Sequence, residues 1–133
     1  MDFMTAVKTC ILEKYINFQD RAPRSEYWWF ALFNIGGAVL LGLIGITILQ
    51  TLWSLALFLP GIAVSIRRLH DLDKSGWWLL LPLGTLILGG IIGALLMPII
   101  GGIIYLAGVA ILIYWFVQKG TDGANQFGPD PLA

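Results

Sequence analysis

From Trp77 to Val117 the chain runs 41 residues with no ionisable side chain other than tyrosine. As one straight helix this tract would be about 60 Å long, roughly twice the thickness of a bilayer's hydrocarbon layer. It must fold back on itself. Met97-Pro98-Ile99-Ile100-Gly101-Gly102 is where it can do so. Proline lacks a backbone donor and clashes with the preceding turn, and paired glycines bend at little cost. Two helices are predicted, over 77–96 and 99–117.

Two shorter tracts lie upstream. Tyr27 to Leu49 carries no charge over 23 residues, about 34 Å as a helix. Leu52 to Ile66 is uncharged but only 15 residues long, so it needs Gln50 and Thr51 at one end or Arg67 at the other to reach across, and a helix is expected over 51–67. The reversal between them is expected near Leu49-Gln50-Thr51-Leu52, where a polar pair interrupts the apolar run. Composition agrees with a lipid-solvated chain. Hydrophobic residues make up 58% and charged residues 12%, against roughly 45–50% and 25% in soluble domains. The expected fold is all-α: one polytopic membrane domain of four transmembrane helices in two antiparallel hairpins.

With four spans, every Lys, Arg, Asp and Glu falls on one side of the membrane. Basic residues in short loops mark the cytoplasmic face, which places both termini and the 67–74 segment inside. That segment, Arg67-Arg68-Leu69-His70-Asp71-Leu72-Asp73-Lys74, carries five charges that would each cost about 2.5–3.5 kcal/mol at mid-bilayer, so it reads as a cytoplasmic loop. Tyr27-Trp28-Trp29, Trp77-Trp78 and Tyr114-Trp115-Phe116 then share one depth, the inner interface where aromatic rings collect. Trp53 is expected at the outer interface. Residues 2–18 have helical apolar spacing at Phe3, Val7, Cys10, Ile11, Tyr15 and Phe18, with Asp2 as N-cap. They predict a short amphipathic helix on the inner membrane surface or against the 67–74 loop. Residues 118–133 form a turn-rich cytoplasmic tail.

Within the spans, Gly89-x-x-x-Gly93 and Gly90-x-x-x-Ala94 offer close helix approach, either inside the chain, as expected, or between copies. No charge lies within a span, which weighs against a proton relay. At the cytoplasmic face Arg67 and Asp71 stand four apart and would pair if their helix continues. Arg21, Arg24, Arg67, Arg68 and Lys74 carry the positive-inside signal, with local ion pairs to Asp20, Glu26 and Asp71; binding of anionic headgroups is the alternative. A lone His70 has no partners with which to ligate a metal. No signal peptide, cofactor loop, metal site or nucleophile–base pair stands out. A net charge of zero argues against nucleic acid as a partner.

Three segments carry a resemblance: Arg21-Ala22-Pro23-Arg24-Ser25-Glu26-Tyr27-Trp28-Trp29-Phe30; Arg67-Arg68-Leu69-His70-Asp71 with Lys74-Ser75-Gly76-Trp77-Trp78; and Gly123-Ala124-Asn125-Gln126-Phe127-Gly128-Pro129-Asp130-Pro131. In this order the chain resembles the domain of unknown function 805 family of small bacterial inner-membrane proteins. The resemblance implies a four-helix polytopic fold and no particular activity. Asp20 and Asp73 depart from the pattern, standing where glycine is expected, and would alter turn geometry more than chemistry. All three segments map to the cytoplasmic side. The expectation is that Arg21, Arg24, Glu26, Arg67, Arg68, His70, Asp71, Asn125 and Asp130 pack with the tail into one polar cap over the helix ends. The function expected first is assembly or partner binding at that face, with membrane lipids, a second copy or another membrane protein as partner. A small transporter or channel component and a lipid-headgroup enzyme using His70 and Asp71 are the alternatives.

Overall fold

The computed structural model describes residues 1–132. The chain is all-helical among them, and four helical stretches are long and apolar enough to cross a membrane: Arg24–Ile44, Thr47–Asp71, Gly76–Leu95 and Pro98–Val117. A short helix, α1 (Phe3–Lys8), comes first and runs into a π-helical turn over Thr9–Glu13. The spans are α2 (Arg24–Ile44), α3 (Thr47–Asp71), α4 (Leu81–Leu95, entered through a 3-10 turn at Gly76–Leu80) and α5 (Pro98–Val117).

The first reversal lies earlier than the polar pair suggests. α2 stops at Ile44 because Gly45 adopts φ 83°, a left-handed conformation that costs glycine nothing, and its N–H closes on the Leu41 and Gly42 carbonyls. Gln50 and Thr51 therefore sit inside α3. Gln50 Nε2 donates to the Ala38 carbonyl across the hairpin, and Thr51 Oγ1 donates back to the Thr47 carbonyl. Polar residues that looked like a turn are satisfied within the helix pair. The second reversal falls where proline and glycine predict it, with Pro98 opening α5.

Each hairpin has its own seam. In α2–α3, Trp53 lies over Gly37 and donates from Nε1 to the Asn34 carbonyl at 3.1 Å. It is a seam residue of the hairpin, and only a glycine opposite leaves room for its ring. In α4–α5, Gly89 and Gly93 face Gly101 so closely that a Cβ at Gly89 would strike the Gly101 carbonyl; Thr85 packs against Gly108 in the same way. Gly89 and Gly93 thus serve packing inside the chain, where close approach replaces the absent hydrophobic drive, whereas Gly90 has nothing within 4 Å and is exposed, as is Ala94.

The N-terminal helix lies against the first hairpin. Asp2 caps it, accepting from the Thr5 N–H at 2.8 Å. Phe3 packs edge-on against Trp29 and Phe33, and Cys10 joins Phe30, Leu57 and Val64 in a buried cluster. Its outward face, with Met4, Leu12 and Ile16, is exposed and apolar. Pro60 sits inside α3 and cannot donate to Ala56, which would leave that carbonyl bare. Tyr15 Oη donates to it at 2.5 Å, so the N-terminal segment mends the helix it leans on.

Candidate functional site: a polar cap over the helix ends

The two hairpins meet chiefly at one end. There Tyr27 packs on Phe116 with ring centroids 4.4 Å apart, and Leu69, Leu112 and Phe116 form a buried cluster. Trp78 packs edge-on against Trp115 at 5.6 Å, and Lys74 Nζ sits 4.6 Å above the Trp115 ring. The aromatic clusters of α2, the 3-10 turn and α5 converge at this level.

Above them lies a cluster of buried charge. α3 continues past its apolar portion, so Arg67, Arg68, His70 and Asp71 are the last turn of a helix and are buried rather than looped into water. Arg67 to Asp71 are folded into protein, while Asp73 beyond the helix end is exposed. Arg67, fully buried, pairs with Glu26 through Nη1 and not with Asp71, although Asp71 is one turn away. Glu26 reaches it from the first turn of α2, where an acidic side chain also complements the helix dipole. Asp71 instead accepts from Arg68 Nη1 at 2.7 Å, and from Arg21 Nε at 3.1 Å and Nη2 at 2.9 Å.

What remains of the guanidinium capacity goes to backbone carbonyls. A helix leaves its last carbonyls without partners. At the end of α5, Arg68 Nε donates to the Phe116 carbonyl at 3.2 Å and its Nη2 to that of Gln118, while Arg24 Nη1 donates to Val117 at 3.2 Å. Trp28 Nε1 adds a bond to the Phe116 carbonyl at 3.1 Å. Side chains of the first hairpin thereby cap the last helix of the second. The end of α3 is closed by both flanking segments: Ala22 N donates to Arg67 O, Thr121 N to Asp71 O, and Asn125 Nδ2 to His70 O.

The tail wraps over this cluster. Arg21 Nη1 donates to the Gly123 carbonyl at 2.7 Å and to Gly128 at 3.2 Å, and its Nη2 donates to Thr121 at 2.6 Å. Phe127 stacks on the His70 ring, 4.0 Å between centroids and 3° from parallel. Asp130 accepts from the Gly123 and Leu132 N–H groups at 2.9 Å, and these bonds hold its carboxyl below the usual carboxylate range. Gly120 lies so close to Asp71 that a Cβ there would overlap the carboxylate. Asp73, in the glycine position, takes a left-handed φ of 59°. Asp20 pairs with Lys14 at 3.2 Å, which with the Asn17 amide keeps its carboxyl low.

All nine residues singled out in the sequence lie in this region, with Asp130 bonded to the tail backbone and the other eight engaging neighbouring segments. Two participants, Cys10 and Gly120, carried no comparable signal. Cys10 lies 3.6 Å from Glu26 Oε1 and 3.9 Å from Arg67 Nη2, and burial, reinforced by the Glu26 charge, pushes its thiol up to about 12. Arg67 Nε is a buried nitrogen with no hydrogen-bond partner. Among the described residues no group of three or more His, Cys, Asp and Glu side chains is placed to hold a metal ion.

Four apolar helices ending in a shared ionic cap define a small polytopic α-helical membrane protein. The chain belongs to the family described as "Protein of unknown function (DUF805)", whose model matches residues 15–129. It is similar to inner membrane protein YhaH of Escherichia coli (strain K12), 40% identical over 131 residues, covering 91% of this chain and 92% of that one. Inner membrane protein YhaI of the same strain is 39% identical over 128 residues, with 91% of each chain covered. A third relative, the uncharacterized protein YiiR, is 31% identical over 124 residues, covering 86% and 85%. No solved structure matches the chain.

Proposed function

We propose that this chain is a bacterial inner-membrane protein with both termini and the 67–74 corner in the cytoplasm, acting by assembly or partner binding at that face. One observation carries the reading. The buried ionic groups of the cap are engaged with one another: Arg67 with Glu26, and Arg21 and Arg68 with Asp71 and with carbonyls. Such an arrangement makes a rigid platform. Asp71, which a headgroup enzyme would need beside His70, is held by two guanidinium groups and covered by Gly120. The exposed cations Arg24 and Lys119 lie at the rim, where anionic headgroups or an acidic partner surface would meet them. The inside placement of the cap rests on the basic residues gathered there.

A second reading, a small transporter component, is favoured by the Asn34 amide. It lines a cleft of about 430 Å³ at span depth together with Ser54 and Ser65.

The test is photo-crosslinking in native membranes from Lys119 and Gln126 on the rim, with Leu43 at the far end as comparison. The assembly reading expects a discrete protein adduct, to self or to a partner, from the rim positions and only lipid adducts from Leu43. Lipid adducts alone from all three, together with solute uptake by vesicles holding the purified protein, would overturn it.

A further inference from the structure

Between the end of α3 and the 3-10 turn that opens the second hairpin lies a cleft of about 450 Å³. That is within the range of sites that hold organic ligands, roughly 300–1,000 Å³. Its walls are Phe18, Ile62, Ile66, Leu79 and Leu80, and its polar end is formed by His70 and Ser75. Trp77, 79% exposed, stands at the rim, at the depth where the aromatic rings of the other helices gather. Ile62 and Leu79 also line the cleft above, so the apolar walls continue into the span.

His70 is built into this end. It is 7% exposed, stacked on Phe127, and its Nδ1 lies 3.1 Å from both the Gln19 and Asp20 carbonyls. Two carbonyl neighbours require the proton to be on Nδ1, so the neutral ring carries its lone pair on Nε2. Nε2 has no partner among the described residues. It is not sealed inside the protein, so it stands open to a donor from outside the chain.

We propose that this cleft seats one glycerophospholipid of the adjoining leaflet whose headgroup carries an N–H or O–H donor. The donor bonds His70 Nε2, the headgroup lies against Ser75 and Trp77, and an acyl chain runs along Ile62, Ile66 and Leu79. The order of chemistry in the cleft, polar at the interface and apolar toward the span, matches such a lipid. The seat needs neither the buried arginines nor Asp71, so it stands or falls separately from the assembly reading.

The experiment is native mass spectrometry of the purified protein released from nanodiscs. The discs contain either phosphatidylethanolamine or phosphatidylcholine with identical acyl chains; the second lacks any headgroup N–H. One ethanolamine lipid retained per protein, at least tenfold more than the choline lipid, is expected. Ile62→Trp, which fills the cleft, should abolish that retention, while Leu43→Trp, far from it, should not. Circular dichroism melting checks that both variants fold. Equal retention of the two lipids by the wild-type chain overturns the proposal without any variant. So does retention unchanged in a folded Ile62→Trp protein, or a lipid-free dimer that this substitution dissociates, which would make a second copy the occupant.

Discussion

Replacing Asp71 with asparagine removes one negative charge and almost no volume from the centre of the cap. Asp71 is the sole carboxylate contacting Arg21 and Arg68, through contacts of 3.1, 2.9 and 2.7 Å. Both arginine side chains are essentially buried. Asparagine keeps one acceptor oxygen but turns an amide N–H₂ toward a guanidinium, leaving two buried cations with no counter-charge. Breaking a buried pair by deleting one partner costs about 3–5 kcal/mol, because the remaining charge is stranded away from water. That is a large share of the roughly 5–15 kcal/mol that typically separates folded from unfolded domains. The expected result for Asp71→Asn is therefore a loss of about 3–5 kcal/mol in denaturant unfolding in mixed micelles. Tail cleavage by protease should become rapid, since Arg21 no longer anchors residues 121, 123 and 128. Asp73→Asn, an exposed neighbour on the same corner, is the control and should change stability by less than about 0.5 kcal/mol. A loss below about 1 kcal/mol for Asp71→Asn, with the tail still protected, would refute the reasoning.

Three further outcomes follow from local geometry. Tyr15→Phe leaves the Ala56 carbonyl without a partner opposite Pro60 and should cost about 1–3 kcal/mol in the same unfolding assay; no change would mean the α3 carbonyl is met some other way. Cys10, buried and with its thiol raised to about 12, should resist maleimide at pH 8 in micelles and react promptly once unfolded, so rapid labelling of the folded protein would contradict its placement. Asp130 is held low by the Leu132 and Gly123 N–H groups, so its hold on the tail is present above the ordinary aspartate value of about 3.9 and is lost as pH falls through the lowered value. After correction for intrinsic exchange, protection of those amides should drop only in that acid range; a drop between pH 5 and 7 would point to a different group.

The spans were legible because charge-free tracts of that length have few options. The α4–α5 turn was legible because Pro98 and Gly101-Gly102 act through the local backbone. The first turn was misplaced because Gln50 and Thr51 are polar yet satisfied across or along the helices, and Gly45 alone, at φ 83°, does the turning. At the cap, spacing along one helix suggested Arg67 with Asp71, whereas the partner is Glu26, 41 positions away in sequence. Which carboxylate an arginine faces depends on how α2 and α3 align, and no local pattern encodes that. The seam role of Trp53 was hidden for a similar reason, since only the opposing Gly37 reveals it. Cys10 entered the site, and Tyr15 reached the Ala56 carbonyl, through tertiary packing of the N-terminal segment. Asp73 shows the converse, since its left-handed backbone accounts for glycine being the residue expected there.

Impermeant thiol labelling of intact cells, using single cysteines in a Cys10→Ala background, tests the central geometry most directly. Cysteine at Ile46 and at Met97, in the two hairpin turns, should label from outside, while cysteine at Asp73 and at Asp122, on the cap, should label only after the inner membrane is opened. Labelling of 73 or 122 in intact cells, or of 46 and 97 from opposite sides, would mean that the charged helix ends do not share one face.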